Sequence, residues 1–197
     1  MKTITTFTAL LLLTLGLNAQ DQDHKSEMLE ENRIYWSEQV KLSWNDFRGE
    51  IEEDENVAAL SSIALPYNLS SDGEGELIVQ MRVCFIRNES WSKPEQQNKV
   101  LLQHEQVHFD IAELHRRKVI KALQEVEMDK NNYRETIQNI MGRVWKKQYR
   151  EMQDQYDKET NYSRVFKAQI SWNKFLEEQL KKYQAYSDLE LKISLIN

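Results

Sequence analysis

His104-Glu105-Gln106-Val107-His108 is the segment whose residue types and spacing most directly promise chemistry. On a helix, positions i and i+4 share a face about 6 Å apart. Two imidazoles placed so can grip one divalent ion, and the glutamate beside the first can reach a water on that ion. With four histidines in the chain, about 0.01 chance occurrences of H-E-x-x-H are expected. On a helical wheel with His104 at zero, His108 falls near 40°, and Val100, Leu101, Val107, Ile111, Ala112, Val119 and Ala122 fall within about 80°. The histidines are therefore centred on the face that should be buried. Buried polar side chains need partners, and a shared metal satisfies both. Glu105 lies near 100°, at the edge of the apolar stripe, within reach of a cleft.

A catalytic zinc usually has three protein ligands and one open position. His115 shares the face but lies about 16 Å along a straight helix from His104, and 109–114 holds no glycine to turn the chain. It is expected beside the site or at the surface. Glu113 falls about 180° from His104 and is expected in solvent. The third ligand should come from a later helix folding back. Gln155 to Ser163 supplies two carboxylates and two phenols: Asp157, Glu159, Tyr156 and Tyr162. If that helix continues regularly, Glu159 shares a face with Met141, Val144, Trp145, Gln148 and Met152, and Asp157 lies near the other side. If it stops before Asp157, the argument lapses.

The surrounding elements must position these groups. From Pro94 onward the apolar period is helical, with stretches expected at 97–126, 133–157 and 165–183. Asn131-Asn132 and Asn161-Tyr162-Ser163 are the junctions. Upstream, Val57 to Tyr67 and the alternating run Leu77, Val79, Met81, Val83, Phe85 flank the turn-forming 70–75. They predict an antiparallel hairpin, with Cys84 on its more polar face as an inert small residue. The alternating tail 189–195 predicts a short strand or a frayed end. Residues 1–20 carry one charge, Lys2, an apolar run Ala9–Leu17, and a polar turn after Ala19. That is the layout of a secretory signal peptide. Residues 21–33 read as a loose lead-in and 34–197 as a single domain. No cysteine follows the apolar run to carry a lipid anchor, and no later stretch reaches the ~20 residues of a membrane span. The mature chain is expected in the periplasm or outside the cell.

Composition narrows the classes. The 197 residues carry 26 basic and 32 acidic side chains, a formal charge of −6. An acidic chain is a poor nucleic-acid binder, since phosphate affinity needs clustered Lys and Arg. One cysteine excludes an intrachain disulfide and a thiolate-built zinc site. Five glycines and two prolines favour long helices over an all-β fold.

Several segments resemble a known family. Leu42-Ser43-Trp44-Asn45-Asp46-Phe47-Arg48-Gly49 is similar to an L-x-W-x-D-F-x-G signature, and Ser90-Trp91 precedes the histidine helix. Leu101 to Glu113 is similar to the core helix, and Tyr156-Asp157 with Thr160 to a Y-D-x-x-T signature, followed by Gln169 and Trp172-Asn173. Over residues 36–180 the chain resembles the bacterial family of predicted secreted zinc-dependent proteases, in its Bacteroidetes-type forms. The resemblance implies Asp157 as third ligand, because the position of Glu159 varies more in that family; Glu159 stands in reserve. Two departures are visible: Tyr162 stands where many members have His, and Gln106 where common zincins have an apolar residue.

The expectation is an α+β, zincin-like fold: a small antiparallel sheet followed by a bundle of three long helices. It carries one Zn2+ on His104, His108 and Asp157, and hydrolyses peptide or protein substrates. Glu105 would act as general base, and Tyr162 or Tyr156 as donor to the developing oxyanion. The hairpin would offer an edge strand to an extended peptide. Two rivals accompany this reading: a zinc hydrolase of a non-peptide envelope amide, and a secreted helical binding or structural protein whose zinc site is vestigial or fold-stabilising.

Overall fold

The computed structural model describes residues 30–51, 57–71 and 74–196. The signal-like 1–20 and the lead-in up to 29 lie outside the described residues. The fold is mixed, with small antiparallel sheets and helices, and among the described residues no helix is long and apolar enough to cross a membrane.

Strands β1 (Arg33–Tyr35), β2 (Ala59–Leu60), β3 (Ile63–Ala64), β4 (Tyr67–Ser71), β5 (Glu76–Met81), β6 (Cys84–Ile86) and β7 (Trp91–Ser92) precede the helices, and β8 (Glu190–Ser194) follows them. The expected hairpin is present in one register: Ile63 faces Phe85, Ala64 faces Cys84, Tyr67 faces Met81 and Ser71 faces Leu77. It is bent at Arg82 and Val83, so its halves enter separate sheets, β1-β6-β3 and β4-β5-β8. The bend corrects the expectation for Cys84. Alternation fails there, Val83, Cys84 and Phe85 are all buried, and burial pushes the thiol pKa up. A 3-10 turn, Arg87–Glu89, then shifts the pairing so that Ala59 meets Ser92 and Leu60 meets Trp91 in a separate ribbon, β2-β7. The tail forms β8, and its Leu191 and Ile193 lie opposite Val79 and Leu77 of β5.

The early signature is a buttress for that ribbon. Ser43 N–H and Oγ donate to Asp46 Oδ2, both at 2.8 Å, and Arg87 Nη2 donates to Asp46 Oδ1 at 2.9 Å. Gly49 N–H donates to Ser90 O, and a Cβ at Gly49 would lie 3.0 Å from the carbonyl oxygens of Asn88 and Ser90. Only glycine lets the backbone press against this corner.

Helix α1 (Lys99–Gln124) starts at Asn98, whose Oδ1 accepts from the amides of Val100 and Leu101. Its Phe109, Ala112, Val119 and Leu123 join the sheet residues Val79, Met81 and Phe85 in the main core. Its Val107, Ile111 and Leu114 pack with Tyr156, Trp172 and Leu176 of later helices. Thus α1 is buried on both sides, with fifteen of its 26 residues in the interior. This corrects Glu113, expected in solvent. It is 3% exposed and receives both Arg116 and Arg117. Gln106, the odd residue after H-E, ties α1 to the N-terminal segment. Its Oε1 accepts from Leu42 N–H (2.9 Å), and its Nε2 donates to Asp110, which also accepts from Trp36 Nε1.

After α2 (Tyr133–Ile140) the helix continues as a π segment, Met141–Gln148, before α3 (Tyr149–Thr160). Helix α4 (Phe166–Lys182) packs back on α1 and α3.

Candidate metal centre

Spacing on α1 puts His104 and His108 on one face, and α3 brings Asp157 against them. Asp157 Oδ1 lies 3.1 Å from His104 Nε2 and 3.0 Å from His108 Nε2, and the two Nε2 atoms are 3.1 Å apart. Each ring spends its other nitrogen elsewhere. His104 Nδ1–H donates to Gln169 Oε1 at 3.3 Å, and His108 Nδ1–H to Gln153 Oε1 at 2.6 Å. The amides are turned by their own bonds, since Gln153 Nε2 donates to the His108 carbonyl and Gln169 Nε2 to Asn173 Oδ1. Three lone pairs therefore converge on one point. Such a group could hold a metal ion, and an added proton on one imidazole would also bridge it to the carboxylate.

The donor set fits a metal ion. A tetrahedral ion with bonds of about 2.0–2.1 Å sets its donors about 3.3 Å apart, close to the triangle observed. Two imidazoles and a carboxylate suit first-row divalent ions, and the outer amides have the form of second-shell acceptors that orient metal-bound histidines. Without metal a proton must serve. Burial pulls His108 down, but the hydrogen bond to Asp157, the charges of Glu105 and Asp157, and Gln153 outweigh it, raising its pKa to about 9. Burial works against the charged form of Asp157, yet its hydrogen bonds to both histidines hold its pKa well below the usual carboxylate range.

The Tyr156, Asp157 and Thr160 signature has a physical division of labour. Tyr156 stacks on His104 (4.5 Å between centroids) and meets His108 edge-on (5.0 Å), and its hydroxyl donates to Gln169 Oε1 at 2.6 Å. Burial pushes its phenol pKa up. Fully buried and so engaged, it packs the imidazoles and is not available to an oxyanion. Thr160 Oγ1 donates to the Tyr156 carbonyl at 2.7 Å, below the His104 ring.

Residues 89–164, from the corner before α1 to the end of the site, match a family described as bacterial protein of unknown function (DUF922). No curated protein and no solved structure is similar enough to match the chain. The DUF922 segment contains the whole triangle and Glu105, Gln153 and Tyr162; the early signature and Gln169 lie outside it.

A cavity of about 730 Å³ opens beside the triangle, lined by His104, Glu105, His108, Asp157 and residues 57–61, which include β2. Glu105 is 3% exposed, and its Oε2 accepts from Ser61 Oγ at 2.7 Å. Tyr162 lines the cavity mouth, 49% exposed, and its hydroxyl has no hydrogen-bond partner among the described residues. It is held there by an unusual turn: Asn161, Tyr162 and Ser163 have φ of 47°, 52° and 71°. Three successive non-glycine residues in the left-handed region store strain of about 1 kcal/mol or more each, and such strain tends to gather at functional sites.

Glu159 is not in the cluster. It accepts from Gln155 Nε2 and Trp172 Nε1 on another side of α3. The π segment is the reason. An i→i+5 stretch takes up an extra residue, turning everything beyond it by about 100°. Asp157 moves onto the α1 side and Glu159 off it. His115 is neither ligand nor surface residue. It is fully buried, its Nδ1–H donates to the Ile111 carbonyl at 2.8 Å, and burial with the Lys118 charge lowers its pKa to about 4. Sequence reasoning had no signal for Ser61, Gln153 or Tyr149, which also line the cavity. Ser61 sits in an ordinary strand-like run, and the other two become cavity residues only through the π phase shift.

Proposed function

We propose that this protein is a secreted zinc-dependent metallopeptidase, with the ion on His104, His108 and Asp157. The observation that carries the reading is three converging lone pairs on the wall of a cavity that also holds the buried carboxylate of Glu105. Zinc bound there would acidify water to a pKa of about 7 and polarise the scissile carbonyl. Glu105 takes the proton of the attacking water and passes it to the leaving amine. Tyr162, with a free hydroxyl at the mouth, donates to the developing oxyanion. Tyr156 and Gln169 hold His104, and Gln153 holds His108. The cavity edge of β2 receives the substrate as an added antiparallel strand. All three residues line the cavity, so an ion held by them would have its remaining position open to water and substrate, as a catalytic rather than a structural site requires.

The test is purified protein loaded with zinc, counted by elemental analysis and assayed on unfolded proteins, peptides and cell-envelope fragments. One zinc per chain and cleavage of peptide bonds are expected. Glu105→Gln should keep the zinc and lose about 10²- to 10⁴-fold in rate. Undiminished cleavage would overturn the assigned base, cleavage confined to envelope fragments would overturn the peptidase, and full zinc retention by Asp157→Ala would overturn the ligand set.

A further inference from the structure

At Ser61 the proposed substrate edge meets the proposed base. Its hydroxyl donates to Glu105 Oε2 at 2.7 Å across 44 residues of sequence. That bond occupies one oxygen of a carboxylate buried to 3% exposure and leaves the other to take a proton. The backbone of the same residue borders the cavity.

The register decides which way that backbone points. Lys93 N–H donates to Ala58 O, Ser62 N–H donates to Ser90 Oγ, and Ser62 O accepts from Ile86 N–H. Residues 58, 60 and 62 therefore aim their peptide groups at β7 and β6. By the alternation of an antiparallel ladder, Ala59 and Ser61 aim theirs the other way. Among the described residues β2 pairs with β7 only, so that side has no strand on it. Ala59 and Ser61 both border the cavity.

We propose that Ser61 is a positioning residue that couples strand addition to the base. An extended peptide pairing with Ala59 and Ser61 fixes the backbone of Ser61, and so fixes the hydroxyl that orients Glu105. The proposal rests on the peptidase reading and adds that this enzyme takes extended, unfolded chains, because only they supply free backbone groups to the edge. A short or N-methylated peptide that cannot pair leaves the Ser61 backbone loose and the carboxylate less well aimed.

The experiment uses zinc-loaded full chain, the best substrate from a mixture of fluorogenic decapeptides, and a decapeptide hydroxamate of that sequence measured by calorimetry. Ser61→Ala should keep zinc content and melting temperature but lose about ten- to hundredfold in kcat, the worth of a hydrogen bond to a charged group. KM should hold within about threefold, since the backbone edge is intact. Hydroxamate affinity should fall by about tenfold or more, because that ligand also binds against the carboxylate. Ser61→Thr keeps the hydroxyl and should restore kcat and affinity to within about threefold. Cleavage by the wild type with unchanged kcat in Ser61→Ala overturns the coupling alone. A loss that Thr does not restore, or one that tracks zinc or melting temperature, also overturns it. A wild type that neither cleaves decapeptides nor binds the hydroxamate overturns the peptidase reading and the coupling with it.

Discussion

Helix α1 carries two buried polar clusters, and they are built on opposite principles. Midway along it Glu113 accepts three bonds, from Arg116 Nε and Nη2 and Arg117 Nε, all at 2.8 Å. The guanidiniums donate further to the carbonyls of Ser187, Asp188 and Leu180 and to Gln184 Oε1. Every contact there sets a donor against an acceptor, and the result ties α1 to the end of α4 and the turn after it. At the near end His104, His108 and Asp157 present acceptor to acceptor at 3.0–3.1 Å beside an open cavity. The first cluster sets donors against acceptors, and the second sets acceptors against each other in a way that could hold a metal ion. Charge alone does not mark a functional site; an imbalance of donors and acceptors facing a cavity does.

The comparison can be broken most sharply at Glu113. Glu113→Ala strands two buried guanidiniums and should cost about 3–5 kcal/mol, read by urea unfolding. The folded fraction should still bind one zinc with unchanged affinity. A variant that loses zinc affinity without losing stability would show that the clusters are not separate.

Next in size are two proton effects of opposite sign in metal-free protein. His115 has its pKa lowered from 6.5 to about 4, so the unfolded chain binds more protons in that window. The stability is present above pH 6.5 and lost as pH falls toward 4, by about 3 kcal/mol. His108 has its pKa raised from 6.5 to about 9, so its contribution is full below pH 6.5 and lost as pH rises through 9. Melting temperature without metal should peak near pH 6.5. Zinc, replacing the proton, should abolish the alkaline fall and steepen the acid limb below pH 6.5, because the ligating histidines, like His115, then hold protons only in the unfolded chain. An alkaline fall that persists with zinc bound would mean that the ion does not sit at His108.

The smallest effect tests the outer bonds. Gln153→Leu removes the acceptor of His108 Nδ1–H and should weaken zinc binding about 10- to 100-fold, measured by chelator competition. Gln184→Ala, at the Arg117 end, should leave zinc affinity where it was.

Much of this was legible in the residues. H-E-x-x-H needs only the helical repeat to bring its rings together, and an antiparallel hairpin follows from alternation and the turn-forming 70–75, though its first arm runs on to Ser71. Other features were not. The wheel puts Glu113 in solvent because it assumes one buried face, whereas α1 is covered by a sheet on one side and by helices on the other. Periodicity points to Glu159 because it assumes an unbroken α repeat, and Met141–Gln148 winds differently. The family resemblance, not periodicity, pointed to Asp157.

The sequence by itself determined which groups lie one turn apart on α1, because the geometry of one regular element is set by its backbone hydrogen bonds. Only the tertiary structure decided which carboxylate meets them, which hydroxyl holds Glu105, and which glutamate is buried among arginines. Those are contacts between elements, and they depend on how a π stretch, a bent hairpin and a doubly covered helix are phased against one another.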